Sequence, residues 1–524
     1  MKYSFLRALV PVALLIFITA ISCDRPRNFI EEGTLDFSAD TLKFDSIFTT
    51  LQAPTGRLIV YNNTSENINI SKTWLASGTN SEFEMIADGL EGDKMSFDDM
   101  PLAKGDSMLV LITFKSLEKD AYVEEYINFE IGGEMQRVLI RAKVLDAYLW
   151  KTTGRDDEGN LVLTQAITRD TTFATDKFTV IDGPLFVTNG ATLTLLPGTK
   201  LAFTPFKLDP ATGGNPLGPS TFEFRLFSMI YVDDGSLQVQ GTAGNPVQMQ
   251  GVRFDTTTLA DYNELPGQWR GIQFSKNSSN NSLEHLIMKN GLLGIRVDSV
   301  SYDTEPRLVM KHVEIRNMAA FGLQILGFNG SAPDDLGTAP QVVAENCQIY
   351  NCKERTVSIS GGGWQEFYNC NFASYPFNYS RRNPSFSIAN YLTLDGQVIQ
   401  EEYALKTRVV NSIVYGSEDE ELLVENFDFY NREHDVLFDH SLVRTSTDPD
   451  REYDYEPYFR EVIQNQDPLF HDSRMFDYRP EENSPVIDAG MDLSSRYMVD
   501  FRDDPSFSRQ LPFDIGAFEY YIID

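Results

Sequence analysis

Reactive side chains are scarce in this chain. Its 524 residues include only four cysteines and five histidines. Beyond the N-terminal segment the cysteines are Cys347, Cys352 and Cys370. Three is an odd number and no CxxC occurs, which argues against a disulfide framework, a zinc ribbon or thioredoxin-type chemistry. Positive charge is also short: 44 Lys and Arg face 76 Asp and Glu, a net charge of −32. Such a surface repels phosphate backbones and anionic lipid, so nucleic acid is excluded as a partner. Long apolar runs are missing after the N-terminus, leaving no stretch able to span a bilayer as a helix. Disorder is excluded in turn, because 42% of the residues are hydrophobic. A chain of this length exceeds one ordinary core, so more than one domain is expected.

The N-terminus, MKYSFLRALVPVALLIFITAISC, carries Lys2 and Arg7 ahead of an apolar run from Ala8 to Ile21. The run is too short for a membrane helix and fits a secretory leader, residues 1–22. Its end, Ala20-Ile21-Ser22-Cys23, resembles the lipobox of bacterial lipoproteins. That resemblance implies diacylglycerol on Cys23, a tether over 23–34, and anchoring in the outer membrane or at the cell surface. Loss of Lys2 and Arg7 with the leader takes the net charge from −32 to −34.

Residues 35–148 read as short alternating strands, among them RLIVYNN, INISKTWL, MLVLITF and QRVLIRAKV, separated by polar or Gly-bearing turns. The spacing predicts a β-sandwich. Its order of strands and turns resembles immunoglobulin-like domains of surface proteins, which imply spacing or binding.

From residue 149 the pattern becomes repetitive. LFVTNGATLTLLPGTKLAF (185–203) and IYVDDGSLQVQGTAGNPVQM (230–249) share one order of strands and turns, with the insert Thr204–Ser228 looping out between them. Later segments align as EHLIMKN, KHVEIRN, ENCQIYN, YNCNFAS, VNSIVYG and DHSLVRT. Their second position is His285, His312, Asn346, Asn369, Asn411 and His440, separated by 27, 34, 23, 42 and 29 residues. These are spacings of single solenoid coils with variable loops. Each Asn or His is expected at a corner, bonding its counterparts above and below and satisfying backbone groups that have no sheet partner. His312 is therefore read as a buried rung rather than a general base, and so are His285 and His440. Cys347 and Cys370 fall in one inward column as small apolar groups, a disulfide between them remaining open.

With these repeats, 149–445 resembles the right-handed parallel β-helix of the pectate-lyase-like superfamily. The fold class is thus all-β, a sandwich followed by a solenoid. In residues 446–524, NSPVIDAGMD (483–492) and FDIGAFEY (513–520) resemble the choice-of-anchor Q domain, which implies a C-terminal cap closing the solenoid.

That superfamily includes lyases and hydrolases, so acids are sought in one outward column. The outward positions after the corner glycine run Gln273, Arg296, Gln324, Ser358 and Ser387, polar and almost uncharged, and form the candidate ligand face. The column before the corners, Glu284, Lys311, Glu345, Tyr368, Val410 and Asp439, alternates in sign and reads as a surface charge ladder. No acidic cluster facing a Lys or Arg is found, and no catalytic or metal-ligating set is assigned. Asp500, Asp503 and Asp504 are weighed as a calcium site against a solvated loop, Trp269 and Trp364 as packing residues against sugar platforms. No cofactor is expected, calcium being the one candidate ion. The function read from this is non-catalytic binding or scaffolding for a glycan or surface-protein partner. The alternative is a polysaccharide lyase or glycoside hydrolase using loops such as Arg381-Arg382 or the acidic stretch 446–459.

Overall fold

The computed structural model describes residues 28–44, 46–90, 95–115, 119–155, 161–163, 165–205, 228–253, 265–327, 334–376, 379–394, 397–400, 402–428, 432–446 and 455–521. The leader and Cys23 lie outside these residues, as do most of the insert at 204–228 and most of the acidic stretch at 446–459. Among the described residues no helix is long and apolar enough to cross a membrane. The chain divides into two units between Leu145 and Asp146.

The first unit is a two-sheet sandwich. One sheet orders Asp36–Phe37, Thr55–Tyr61, Ser107–Phe114 and Phe83–Ala87; the other runs from Thr41–Lys43 through Glu134–Leu145, Ala121–Ile131 and Ile68–Leu75 to Ser96–Leu102. Alternation decides what is buried: Leu58, Val60, Val110, Ile112, Ile68, Ile70, Val138 and Ile140 are sealed inside, while their neighbours in sequence stay outside.

The second unit is a parallel β-helix. Three parallel sheets of eleven, ten and eight strands run its length. One coil shows the path: Asn281–Glu284 in the ten-stranded sheet, Leu286–Lys289 in the eleven-stranded sheet, Ile295–Asp298 in the eight-stranded sheet. Every second side chain points inward, so Leu283, Leu286, Met288, Ile295 and Val297 are fully buried. Cys347, Cys352 and Cys370 are buried free thiols. Cys347 and Cys370 each donate to the carbonyl two residues back, at 3.2 Å. Burial pushes the Cys352 thiol up to about 12, so it is inert at neutral pH.

The six aligned Asn and His residues form the corner between the ten- and eleven-stranded sheets. All six are left-handed, with φ between 45° and 52°. One left-handed residue turns the chain sharply, and Asn and His enter this region more readily than most side chains. Asn290, Asn317 and Asn351 do the same at the next corner, with φ of 63°, 53° and 50°. The coils are tied through the backbone, His285 N–H donating to the Lys311 carbonyl at 3.0 Å, His312 to Glu345 at 3.2 Å and Asn346 to Tyr368 at 3.0 Å.

Here one expectation is corrected. Among the described residues these side chains do not hydrogen-bond one another; most reach outward to the C-terminal region. Asn411 Oδ1 accepts from Met491 N–H at 2.7 Å, and Asn411 Nδ2 donates to the Met491 carbonyl at 2.9 Å. Asn346 Nδ2 donates to the Val499 carbonyl at 3.2 Å. His312 Nδ1 meets the Phe501 carbonyl at 3.1 Å, and His285 Nε2 meets Asp503 Oδ2 at 2.9 Å. Residues 491–503 thus descend the corner column coil by coil. His440 is tied instead to its neighbour Asp439, at 2.8 Å, and the buried Asn369 side chain has no hydrogen-bond partner among the described residues. A column of side chains at one corner looks, in sequence, like a ladder whether its partners are each other or a distant strand.

The SPVIDAG and FDIGAFE segments pair with each other. Ile515 N–H donates to the Val486 carbonyl at 2.9 Å, Gly490 N–H to Phe513 at 2.6 Å, and Asp488 N–H to Asp514 Oδ1 at 2.8 Å. Gly516, at φ +109°, sits where a Cβ would lie 2.6 Å from Asn371 Oδ1. Val486 and Ile515 then pack on Ile413, Tyr415 and Leu442, covering outward side chains of the eleven-stranded sheet.

His312→Asn is therefore expected to fold with little loss, since Asn keeps both the left-handed corner and a polar contact to Phe501. His312→Leu strands that carbonyl and places a side chain with no polar group in the left-handed region, costing about 1–3 kcal/mol. Urea unfolding of both variants checks the ranking; equal stabilities contradict it.

Candidate functional site on the outer face of the eight-stranded sheet

The strands of this sheet start after a tight corner where no side chain fits. A Cβ on Gly271 would lie 2.2 Å from the Leu293 carbonyl, and one on Gly294 2.2 Å from the Gly322 carbonyl. The register that follows aligns Phe186, Tyr231, Gln273, Arg296, Gln324, Ser358, Ser387 and Leu423 in one outward column. Their flanking residues Ile272, Phe274, Ile295, Val297, Leu323, Ile325, Val357 and Ile359 form the core beneath.

A second outward column lies two residues further along each strand. It holds Asp233, Ser275 and Asp298, beside Tyr231, Gln273 and Arg296. Asp298 is the hub. Arg296 Nε donates to its Oδ1 and Gln273 Nε2 to its Oδ2, both at 2.7 Å. Ser275 Oγ donates to the Asp233 carbonyl at 2.6 Å. Tyr231 packs against Phe186 with ring centroids 5.3 Å apart; burial, with Asp233 and Asp298 nearby, raises its hydroxyl pKa.

Two expectations are corrected by this array. The face does set an acid against a cation, Asp298 against Arg296, a pairing that the single column traced through Arg296 does not reveal. Period-two alternation makes position i+2 outward as well, and that signal is present in the sequence. Further, Gln273 and Ser358 point outward yet are only 4% and 7% exposed, so they are not simple surface positions.

The remaining candidates are placed as follows. Glu284, Lys311, Glu345 and Tyr368 stack in register on the ten-stranded sheet, where Lys311 Nζ is 3.3 Å from Glu345 Oε2. Trp269 is fully buried and stacks on Phe203 at 4.0 Å. Trp364 is half-buried, with Lys406 Nζ 4.0 Å over its ring. Asp234 accepts from the Thr188 hydroxyl at 2.8 Å and from Asn189 N–H at 2.6 Å, a turn-holding role. Arg381 is no loop residue awaiting substrate, because it is buried and donates to both Glu421 oxygens at 2.6 Å. Asp500 is buried and paired with Arg502, which corrects the solvated-loop reading for that residue; Asp503 is partly exposed beside His285, and Asp504 is exposed and caps the turn at Ser506. Among the described residues one group could hold a metal by composition: His285, His312 and Asp503, whose ligand atoms lie within 4.8 Å of one another.

No protein-family model matches the chain, and no curated protein matches its sequence. Solved structures give distant matches. Dex49A from Penicillium minioluteum is 8% identical, covering 78% of this chain and 81% of its own, with a TM-score of 0.19. A double mutant of the periplasmic alginate epimerase AlgG is 11% identical over 55% of this chain and 68% of its own, with a TM-score of 0.16. The catalytic unit of a GH87 alpha-1,3-glucanase from Streptomyces thermodiastaticus is 10% identical over 74% of each chain, with a TM-score of 0.18. Superposition this loose carries nothing about chemistry; the solenoid rests on the strand pairing itself.

Proposed function

We propose that the chain is a lipid-anchored surface protein whose eight-stranded face binds a polysaccharide without cleaving it. The observation that carries this reading is the outward column from Phe186 to Ser387, which repeats polar and aromatic groups at the coil rise of about 4.8 Å. An extended glycan presents hydroxyls at regular intervals, and the partly exposed members Tyr231, Arg296, Gln324 and Ser387 can meet them with hydrogen bonds. Arg296 is already matched by Asp298, so the face offers no net positive charge. Together with an overall charge of −32, this favours a neutral polysaccharide over an acidic one. Both Asp298 oxygens are engaged by Gln273 and Arg296, which suits a fixed binding residue better than a catalytic acid. The leader ending at Cys23 supports the anchor.

One observation favours the hydrolase alternative. Asp233 and Asp298 share an outward column two coils apart, about 9.6 Å along the stack, close to the roughly 6.5–9.5 Å separation of inverting glycosidases.

Affinity gel electrophoresis against neutral and acidic polysaccharides tests both readings. We expect retardation by a neutral glycan, weakened at least tenfold in a Tyr231→Ala/Gln324→Ala variant that keeps its melting temperature within a few degrees. New reducing ends, lost in Asp233→Asn, would replace the binding reading with the hydrolase one. Retardation unchanged in the double variant would remove this face from the site.

A further inference from the structure

We propose that His285, His312 and Asp503 form a zinc site that staples the C-terminal cap to two successive coils. This inference stands independently of the glycan reading.

The two histidines occupy the same corner of adjacent coils. Their rings stack with centroids 4.7 Å apart and planes 9° from parallel, so their edges can face one side together. Asp503 arrives from the cap, its Oδ2 2.9 Å from His285 Nε2. The tautomer of His312 follows from its partner. Its Nδ1 faces the Phe501 carbonyl at 3.1 Å, and a carbonyl only accepts, so Nδ1 carries the proton and Nε2 keeps its lone pair. A ligating imidazole usually has this outer-shell arrangement, the second nitrogen fixed by a carbonyl or carboxylate.

Two imidazole nitrogens and one carboxylate suit zinc and its neighbours in the first transition row, whereas calcium prefers oxygen-only sets. Beside the two histidines, the cluster opens onto a cavity of about 320 Å³ lined by Ala243, Pro246, Ile287, Glu314, Phe501, Arg502 and Phe518. That opening provides an entry path and room for water as the fourth ligand. The cap supplies both the Phe501 backbone carbonyl and the Asp503 carboxylate, so a bound ion would join His285 to a residue more than 200 positions away in sequence through one centre.

The test uses the tag-free full chain, stripped with chelator, and Zn²⁺ alone as the probe. Competition with a chromophoric chelator should give one tight equivalent with a dissociation constant in the micromolar range or below, and saturating Zn²⁺ should raise the melting temperature. His285→Asn/His312→Asn keeps residue types that the same corner already uses at Asn346, Asn369 and Asn411. It should lose at least a hundredfold in affinity together with the thermal shift. Asp503→Asn should lose at least tenfold, and Ca²⁺ should not compete. Absence of a tight equivalent in the wild type overturns the proposal. So does a tight equivalent that survives in both the histidine double variant and Asp503→Asn.

Discussion

Arg509→Met should cost about 3–5 kcal/mol, the usual penalty for removing one partner of a buried ion pair. Its guanidinium is fully buried, 3.3 Å from Glu519 Oε2, and it donates to Asn346 Oδ1 at 3.1 Å and to the Gly516 carbonyl at 2.8 Å. Around it three acids, Asp500, Asp514 and Glu519, face two cations, Arg502 and Arg509. Burial, with Asp514 nearby, pushes Glu519 up to about 7. Removing Arg509 leaves a single cation for three buried acids and removes one of the two bonds that tie Asn346 to the cap, the other running to the Val499 carbonyl. Urea unfolding should show the cap melting before the solenoid. A loss below about 1 kcal/mol would mean that water already solvates this cluster.

Arg381→Met is expected to match it in size while sparing binding. Both members of the Arg381–Glu421 pair are sealed, with side chains 1% and 0% exposed. Glu421 also accepts from Ser385 N–H at 3.1 Å and Glu418 N–H at 3.0 Å. Without the guanidinium its carboxyl is raised further by burial, and the strand starting at Leu422 loses its anchor. About 3–5 kcal/mol is again the expected cost, with affinity for any retarding glycan unchanged once the protein is folded. An arginine serving catalysis from a loop would show the opposite, full stability with lost turnover.

The solenoid is legible in the sequence because its physics is local. Period-two alternation, a glycine where the next coil's carbonyl approaches, and an Asn or His where φ must be positive all leave marks at fixed offsets. The column Gln273, Arg296, Gln324, Ser358 follows from that offset alone. What the corner side chains touch is not legible, since the partners of His285 and His312 lie about 190–220 residues away in a segment without strands. Nothing in the string VDFRDD distinguishes an acidic loop in water from a strap with Asp500 buried and Asp503 against an imidazole. Arg381 misleads for a related reason: a polar dipeptide between turns reads as surface, and only tertiary packing reveals Glu421 behind it. Asp298 is within reach of the sequence, but only when both outward columns are followed instead of one.

If the eight-stranded face takes the glycan, hydroxyl-radical footprinting with the retarding polysaccharide shows it most directly. Saturating glycan should protect peptides containing Phe186 and Tyr231 at least threefold while leaving the Trp364 peptide on the ten-stranded sheet unchanged. Protection at Trp364 with none at Tyr231 would contradict the account.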